Sequence, residues 1–447
     1  MFFLMGTFTT SVDPNGVVLA SATRRHCAAP AGTTLFFPII NNECSSVSRP
    51  RLGHSPTARI WLLAIISFWS SAHCWHDWCS PTGCPVPNIS EAGVATVQVD
   101  YNELRNRGRT ILLAAGVPDE HAALVVDNLV WADARGIASH GVARLHTYVN
   151  GVRSGAVDAA ARPACEQDAP GASLWDGRHG LGQVVSAVLV DHAVTRARQS
   201  GCHIAVAHTS HHFGAAGHWA MRAAREGCLG LAFSTAHPIV VPTGGTRPEL
   251  GSNPLACALL GKQDEFVLDM ATSTVALGKV EIAARSGTAM PSSWAVDASG
   301  QPVDDPHAVY PAVFGGESGG LLPLGGASTT QGGHKGYGLA AMVELLCAVL
   351  SGGHDLTPGR SLDERQQGLQ PVSHCFIVID PGFLAGAERT SEALDRMLSA
   401  LRASPAADPD RPVLVPGDPE RLAEQTQADR IILEATVWDG LAALESA

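Results

Sequence analysis

Apolar and polar positions follow helical spacing over several stretches of the chain. Helices are predicted over 101–115 and 118–135, the second opening on a proline and two acidic residues, which a first helical turn favours. A third helix is predicted to start at Ser139, as its N-cap, and to end at Gly155. These helices predict a helical unit near the start of the body of the chain.

Further along, short β-type runs alternate with helical segments. A strand over 203–208, a helix over 215–226 and a strand over 229–235 form a strand–helix–strand unit, which implies parallel pairing through a crossover. The other predicted elements are helices over 181–199, 338–351, 386–403 and from 419 onward, and strands over 266–269 and 375–380. The fold class is therefore predicted to be α/β.

The pattern divides the chain into four parts. Residues 1–96 lack sustained periodicity, and we expect this extension to be disordered, processed, or translated upstream of the true start. Residues 97–170 are expected to form a helical part, 171–336 a central α/β part, and 337–447 helices and a strand that return to the helical part. No run is long enough to span a bilayer, which needs about 20 apolar residues, so no membrane partner is expected.

Composition narrows the class of protein. The chain has 447 residues, 45% of them hydrophobic and 16% charged, which describes a globular protein with a sizeable core. A net charge of −12 and the lack of a basic stripe argue against a nucleic-acid partner. The cysteines after residue 160 are scattered singly, like thiols in a reduced compartment, so the expected location is cytoplasmic.

A cluster of histidine and cysteine near residue 80 raises the alternative of a zinc knuckle. Its candidate ligands are His73, Cys74, His76, Asp77, Cys79 and Cys84. Their spacing fits no ordered pairing of cysteine and histidine ligands well. We therefore expect no metal there.

The stretch 139–145 is the most informative motif. In a helix that starts at Ser139, His140 and Arg144 lie four residues apart on one face, beside the positive end of the helix. An imidazole and a guanidinium so placed suit a small anionic substrate whose neighbouring carbonyl or hydroxyl exchanges a proton. The alternative is a capped helix with a solvated polar face.

Ligands of open α/β sheets bind beyond the carboxyl ends of strands. Polar loops follow three predicted strands, at 209–214, 234–237 and 269–273. His212 lies at a strand-to-helix turn, where it either reaches a substrate or caps the helix. A metal site of His208, His211 and His212 is a further alternative, which we do not favour because adjacent side chains point in different directions.

A Rossmann fold is not predicted. The stretch closest to a G-x-G-x-x-G fingerprint, 177–182, is expected to follow a turn. Instead, 332–338 leads into a helix, with glycines that allow close backbone approach and Lys335 as a charge for phosphate; the alternative is a flexible loop with a solvated lysine. The stretch 415–420 starts a helix at which Asp418 either caps the helix, which we favour, or hydrogen-bonds a ribose.

Seven motifs occur in order along the chain. They are Ser139-His140-Gly141-Val142-Ala143-Arg144-Leu145, Ser210-His211-His212-Phe213-Gly214, Gly251-Ser252-Asn253-Pro254, Leu268-Asp269-Met270-Ala271-Thr272-Ser273, Leu277-Gly278-Lys279, Lys335-Gly336-Tyr337-Gly338-Leu339 and Val415-Pro416-Gly417-Asp418-Pro419. This combination resembles the type-2 malate/L-lactate dehydrogenase family, which includes L-sulfolactate, ureidoglycolate and diketogulonate oxidoreductases and a cyclic-imine reductase. The resemblance covers about 97–447 and is specific for the family, not for a substrate.

The resemblance implies a non-Rossmann NAD(P)-binding sheet domain, a helical domain built from both ends of the body of the chain, and a homodimer. It implies that His140 is the main acid/base residue, His212 a second catalytic histidine, and Ser139 a residue that positions the reacting group. Arg144 would pair with the carboxylate of a small substrate. The residues that would hold the cofactor, NAD or NADP, are Asp269, Met270, Ala271, Thr272, Ser273, Lys335, Gly336, Pro416, Gly417 and Asp418.

The chain departs from the family pattern at three places. Position 211 is His where the family usually has Asn, and the stretch 315–333 before Lys335 is longer than usual. Lys279 stands where the imine reductases more often have Asp. The last departure favours a hydroxy acid as the substrate.

We therefore expect an enzyme that moves a hydride between C2 of a small 2-hydroxy or 2-oxo acid and the nicotinamide. His140 would remove and return the hydroxyl proton, while Arg144 orients the carboxylate. Three alternatives stay open. They are a reductase of cyclic imino acids, a metal-dependent lyase or hydrolase that uses His208, His211 and His212, and a non-catalytic cofactor-binding protein.

Overall fold

The computed structural model describes residues 8–12, 18–22, 95–309, 313, 318–353, 371–427 and 429–446. The chain divides into two units between Cys84 and Pro85. In the first unit, β1 (Phe8–Val12) pairs antiparallel with β2 (Val18–Ala22). The candidate zinc ligands at 73–84 lie outside the described residues.

The second unit alternates helices and strands. In chain order these are β3 (Thr96–Asp100), α1 (Tyr101–Ala114), α2 (Asp119–Ala134), α3 (Leu145–Arg153), β4 (Ala164–Asp168), β5 (Ala172–Gly180), α4 (Gly182–Ser200), β6 (Cys202–Ser210), α5 (Ala216–Arg225), β7 (Leu229–Ser234), β8 (Leu255–Leu260), β9 (Glu265–Met270), α6 (Leu277–Ser286), β10 (Ala295–Val296), β11 (Pro302–Val303), β12 (Gly320–Leu321), α7 (Gly333–Glu344), β13 (Val372–Ile379), α8 (Ala387–Arg402), α9 (Asp418–Gln427), β14 (Arg430–Glu434) and α10 (Ala435–Ser446). None of the described helices is long and apolar enough to cross a membrane. The unit is mixed α/β.

A seven-stranded mixed sheet organises this unit, in the order β4-β5-β6-β13-β7-β8-β9. Only β5 and β6 are parallel neighbours, and α4 connects them. The predicted direct pairing of β6 with β7 is wrong, because β13 lies antiparallel between them, with Phe376 opposite both Ala205 and Ala232. A strand from far along the chain thus fills the place that the local pattern assigned to a neighbour.

Three boundaries differ from the sequence prediction. The glycine-rich stretch at 177–182 does not follow a turn but ends β5, and α4 starts within it. Helix α7 begins at Gly333, five residues before the predicted start at 338. The helix predicted from 419 onward is interrupted by β14, which pairs antiparallel with β3.

Two large apolar cores lie on either side of α4. One core packs α4 and α5 on the sheet, with Trp219 and Phe376 fully buried. The other contains residues of α1, α2, α3, β3 and β14, including Leu104 and Val149. The first turn of α4 therefore stands at the boundary between the sheet and the helices, and the candidate site forms there.

Candidate active site

The stretch that carries His140 is not one helix. Two 3₁₀ turns, Ala138–His140 and Val142–Arg144, are separated by Gly141, whose backbone is extended, and α3 begins only afterwards. The prediction that Ser139 caps a helix with His140 and Arg144 on one face is therefore wrong. The Ser139 hydroxyl instead lies 2.9 Å from His140 Nδ1.

A buried carboxyl on α2 explains this break. Asp133 Oδ2 accepts a hydrogen bond from the backbone N–H of Val142 at 2.8 Å. The carboxyl stands where a Cβ on residue 141 would be, so only glycine fits at Gly141. Burial raises the pKa of Asp133 to about 7, although the bond from Val142 opposes the shift. Asp133 thus fixes the turn that directly follows His140.

Arg144 lies close to His140 despite the break. Its Nε donates to the carbonyl of Ser139 at 2.7 Å, which leaves both terminal amino groups for a ligand. Burial, and secondly the charge of Arg144, lower the pKa of His140 to about 4. The imidazole is therefore neutral at neutral pH, and this is the form that accepts a proton.

His212 stacks against His140 from the loop after β6. The two ring centroids are 5.6 Å apart and the ring planes differ by 21°. His212 Nδ1 accepts from the Tyr148 hydroxyl at 2.7 Å and from the Gly214 N–H at 3.3 Å. These donors assign the proton of the neutral ring to Nε2. His212 thus offers a donor to a ligand.

His212 lies in the wall of an open cleft, and this position accounts for the shift of its pKa. Solvent reaches the imidazole, yet protein surrounds it on most sides. This incomplete hydration, followed by the nearby His140 and Arg144, holds the pKa of His212 well below its usual value. Two neutral imidazoles and one guanidinium therefore share the cleft.

Tyr148 was not anticipated from the sequence. It lies on the buried face of α3, one position before Val149, and its pKa is raised by burial. A buried tyrosine hydroxyl needs a hydrogen-bond partner, and here that partner is His212. A tyrosine within an otherwise apolar helical face was the signal that could have revealed it.

Helix α2 holds both loops that carry the candidate histidines. Asp133 binds the turn after His140, and Asn128 binds the turn after His212. The Asn128 amide accepts from the Ala215 N–H at 3.1 Å and donates to its carbonyl at 3.2 Å. Asn128 and Asp133 are buried polar residues among apolar neighbours on α2, and this signal was not used in the sequence prediction.

His374, on the central strand β13, supports the His212 loop from below. Its Nδ1 lies 2.9 Å from Ser234 Oγ, and its Nε2 lies 2.8 Å from Ser210 Oγ. The ring also stacks on Phe213, with 4.7 Å between centroids and nearly parallel planes. His374 could not be assigned to the site from local pattern, because β13 reaches it from about 160 positions further along the chain.

The histidines of the metal alternative do not converge. His208 Nε2 lies 3.1 Å from a carboxylate oxygen of Glu166, and His211 Nε2 lies 3.0 Å from the Ala156 carbonyl. His212 is bound to Tyr148. Each imidazole faces a different element, which weighs against a metal ion held by all three.

One other group has metal-ligand chemistry among the described residues. Ligand atoms of Asp168, His192 and His203 lie within 4.8 Å of one another. Asp168 already has a cation beside it, with Arg196 Nε at 3.4 Å, and His203 Nε2 is 3.0 Å from Ser173 Oγ. These contacts account for the cluster as a polar network, and we assign no metal to it.

The 269–273 loop uses most of its polar side chains within the fold. Asp269 Oδ2 accepts from the Gly217 N–H at 2.7 Å, at the start of α5, and burial raises its pKa to about 6. Thr272 Oγ1 donates to the Ser252 carbonyl at 3.0 Å, and Ser273 Oγ to the Val275 carbonyl at 2.7 Å. Met270 and Ala271 are partly exposed beside them.

The 335–336 segment adjoins that loop through Leu324. Gly336 is packed so closely on the Leu324 backbone that no Cβ would fit, and the Leu324 N–H donates to the Thr272 carbonyl at 2.9 Å. Lys335 is exposed in the first turn of α7, not in a loop before it. Its charge therefore adds to the positive end of a helix.

The 416–418 turn lies on the other side, against β9. The Val267 N–H donates to the Pro416 carbonyl at 3.2 Å, and Gly417 has a positive φ of 100°. The favoured interpretation of Asp418 as a cap is wrong: its carboxylate pairs with Arg402 at 2.7 Å and Arg421 at 2.7 Å. The hydrogen bonds from Arg402 are the main cause of its lowered pKa, about 2.

The histidine side of the cleft adjoins the 269–273 loop and α6, the helix that follows this loop, at one point each. A Cβ on Gly278, at the start of α6, would lie 3.1 Å from Ser139 Cβ. Gly217, shortly after the His212 loop, binds Asp269. The structure thus brings together His140, His212, Ser139, Arg144 and the 269–273 loop. Lys335 and the 416–418 turn adjoin that loop through Leu324 and Val267, without a described contact to the histidines.

Comparison with known proteins identifies the family of this chain. The sequence model of the family "Malate/L-lactate dehydrogenase" matches residues 99–442. The chain therefore belongs to the malate/L-lactate dehydrogenase family and is an oxidoreductase, as the seven motifs predicted.

The relatives are named for different small acids. A malate dehydrogenase of Pyrococcus horikoshii is 40% identical over 66% of this chain and 79% of its own length. An L-sulfolactate dehydrogenase of Methanothermobacter thermautotrophicus is 32% identical over 73% of this chain and 91% of its own. A Δ1-pyrroline-2-carboxylate/Δ1-piperideine-2-carboxylate reductase of Pseudomonas putida is 36% identical over 67% of this chain and 86% of its own length.

Solved structures agree with the fold. The malate dehydrogenase of Entamoeba histolytica superimposes with a TM-score of 0.75 at 28% identity and covers 79% of this chain and 98% of its own. The malate dehydrogenase of Pyrococcus horikoshii superimposes with a TM-score of 0.70 at 35% identity and covers 79% of this chain and 96% of its own. The mixed α/β fold is thus shared with these enzymes.

Proposed function

We propose that this chain is an NAD- or NADP-dependent dehydrogenase that transfers a hydride between the nicotinamide and C2 of a small 2-hydroxy or 2-oxo acid. One observation carries the proposal: a neutral imidazole, His140, lies beside Arg144 in a cleft that also holds His212. The names of the malate and L-sulfolactate dehydrogenase relatives support a small acid as the substrate. A ureidoglycolate dehydrogenase of Escherichia coli, 33% identical over 71% of this chain, is named as NAD(+)-dependent.

The described residues have the chemistry that such a reaction needs. Arg144 binds the carboxylate through its terminal amino groups and thereby sets the position of C2. His140 accepts the hydroxyl proton in the oxidative direction and returns it in the reductive one. His212 donates from Nε2 to the reacting oxygen, since Tyr148 and Gly214 occupy its Nδ1.

Bound substrate also tunes the base. A carboxylate on Arg144 neutralises the charge that depresses the pKa of His140, so the pKa rises when the acid binds. His140 is then easier to protonate in the complex than in the free enzyme. Ser139 Oγ, at 2.9 Å from His140 Nδ1, keeps the ring oriented during the transfer.

The chain also offers residues that fit a dinucleotide. Lys335 supplies an exposed cation at the start of α7, where backbone N–H groups favour phosphate. Gly336 and Gly417 pack against neighbouring backbone. Neither carries a side chain that would project beside the 269–273 loop. A bound nicotinamide would supply or accept the hydride.

A direct assay tests the proposal. The purified protein is mixed with NADH or NADPH and a panel of 2-oxo acids that includes oxaloacetate, pyruvate and sulfopyruvate. We expect an acid-dependent loss of reduced-cofactor absorbance with at least one acid. No turnover with any acid and either cofactor would overturn the proposal.

A reductase of cyclic imino acids is the second candidate. The relative from Pseudomonas putida carries that activity in its name. The exposed Lys279 at the start of α6, where such reductases more often have Asp, favours the hydroxy acid. Adding Δ1-pyrroline-2-carboxylate to the panel decides between them, because only the second candidate reduces it faster than the 2-oxo acids.

We also propose a homodimer and a cytoplasmic location. Helix α7 and the π-helical segment Leu345–Val349 that continues it expose an apolar stripe, with Met342 40%, Leu345 51% and Val349 62% accessible in the single chain. A second copy would cover this stripe. The described cysteines are free thiols, which fits a reducing compartment. Light scattering of the purified protein measures the oligomeric state, and a monomer would contradict the dimer.

A further inference from the structure

Gln183, in the first turn of α4, has a buried side chain that the proposed function does not use. The residue is fully buried, and neither Oε1 nor Nε2 has a hydrogen-bond partner among the described residues. Buried amides are normally hydrogen-bonded, because an unpartnered one has lost its water without compensation. Such a group in an otherwise well-packed helix indicates a partner that binds later.

The surroundings of Gln183 indicate where that partner binds. Its neighbours Leu181 and Val184 belong to the same apolar core as Tyr148. Gly182, directly before it, lies so close to the carbonyls of His211 and His212 that a Cβ would not fit. The start of α4 therefore adjoins the His212 loop.

The amide also lies near the hydroxyl that binds His212. Burial raises the pKa of Tyr148, and the nearby Gln183 amide acts in the opposite direction, although the pair lacks the geometry of a hydrogen bond. Tyr148 Oη and His212 Nδ1 are 2.7 Å apart, so the amide lies near the tyrosine that binds His212.

We propose that Gln183 is a substrate-binding residue whose Nε2 donates a hydrogen bond to an oxygen of the bound acid. Arg144 uses its Nε on Ser139, so a second, uncharged donor on the Tyr148 side completes the contacts to a small anion. The amide gains a partner only when the acid binds, which makes the contact selective for the complex. This inference rests on the proposed function.

The test compares Gln183→Leu with a matched control, Gln427→Leu. Gln427 is a partnered glutamine: its Nε2 lies 3.2 Å and 3.0 Å from the carbonyls of Asp133 and Ala134, and its Oε1 accepts from the Ile432 N–H at 2.8 Å. Leucine at 183 keeps the volume but removes the donor. We expect KM for the best 2-oxo acid to rise roughly 10- to 100-fold in Gln183→Leu, with an unchanged or higher Tm.

The control is expected to show the reverse, a lower Tm with an unchanged KM. An unchanged KM in Gln183→Leu overturns the inference, and so does a rise in KM accompanied by a lower Tm, since that indicates a packing role. The turnover of the wild type distinguishes failure of this inference from failure of the proposed function. An active wild type with an unaffected variant refutes Gln183 alone, whereas an inactive wild type refutes the proposed function and this inference with it.

Discussion

The histidine side of the cleft and the predicted cofactor side use their polar side chains differently. On the histidine side, His140, His212 and Arg144 keep polar atoms free of protein partners, and burial followed by the charge of Arg144 lowers the pKa of His140. On the predicted cofactor side, the hydroxyls of Thr272 and Ser273 donate hydrogen bonds to neighbouring backbone carbonyls. The proposed function assigns proton exchange with a ligand to the histidine side, while the other side is mainly a shaped backbone surface.

This difference has a physical reason. Proton transfer needs side chains whose pKa values their surroundings can move. Binding a phosphate chain needs close backbone approach and helix ends, which glycines and a single lysine provide. Substitutions should therefore affect chemistry on the histidine side, and affinity for the dinucleotide or stability on the other.

The largest effect is expected for His140→Ala. Without the base, the turnover number should fall by about 10²–10⁴-fold, because proton transfer loses its acceptor. Steady-state kinetics with the best 2-oxo acid measure this. His146→Ala, which removes an exposed histidine on α3, is the control and should turn over normally. Wild-type-like rates for His140→Ala would remove that residue from the chemistry.

Arg144→Lys should weaken substrate binding more than chemistry. Lysine cannot donate Nε to Ser139 and also offer two terminal amino groups, so KM for the acid should rise roughly tenfold or more. The turnover number should change less. Equal KM values for the variant and the wild type would contradict the carboxylate clamp.

Lys335→Met tests the cofactor side. The exposed ammonium is expected to contact phosphate, so KM for the reduced cofactor should rise about three- to tenfold, with KM for the acid unchanged. Lys262→Met is the control, because Lys262 pairs with Glu388 and Glu392 at the surface. If both lysine variants behaved alike, Lys335 would have no special role.

Asp133→Asn should give the smallest change, visible mainly through pH. The raised pKa means that the folded protein holds a proton that the unfolded chain releases. The stability from Asp133 is therefore present below its ordinary pKa and lost as the pH rises through about 7. Relative to wild type, the variant should gain roughly 2–4 °C in Tm between about pH 5 and pH 8. A pH-independent difference would refute the raised pKa.

The helices could be predicted from the sequence more completely than the sheet. Apolar spacing predicted α1, α2 and α4 to within a few residues, because each carries buried apolar residues at helical spacing. The order of the strands was not predictable in this way. β13 pairs with both β6 and β7, and nothing near those strands indicates a partner from the far end of the chain.

The candidate site was anticipated by residue type more than by geometry. His140, Arg144 and His212 were selected from the motifs, and the structure places them in one cleft. The helical face that was to join the first two does not exist, because the Asp133 carboxyl displaces the chain at residue 141. Tyr148 was overlooked because its position in the buried face of α3 looked like core.

Isotope transfer is the most direct test of the hydride proposal. The enzyme is given a reduced cofactor deuterated at C4 of the nicotinamide, in either stereochemical form, and the best 2-oxo acid from the panel. Mass spectrometry of the product should show one deuterium at C2 with one of the two forms, and none with the other. A 2-hydroxy acid without deuterium from either form would contradict direct transfer to C2.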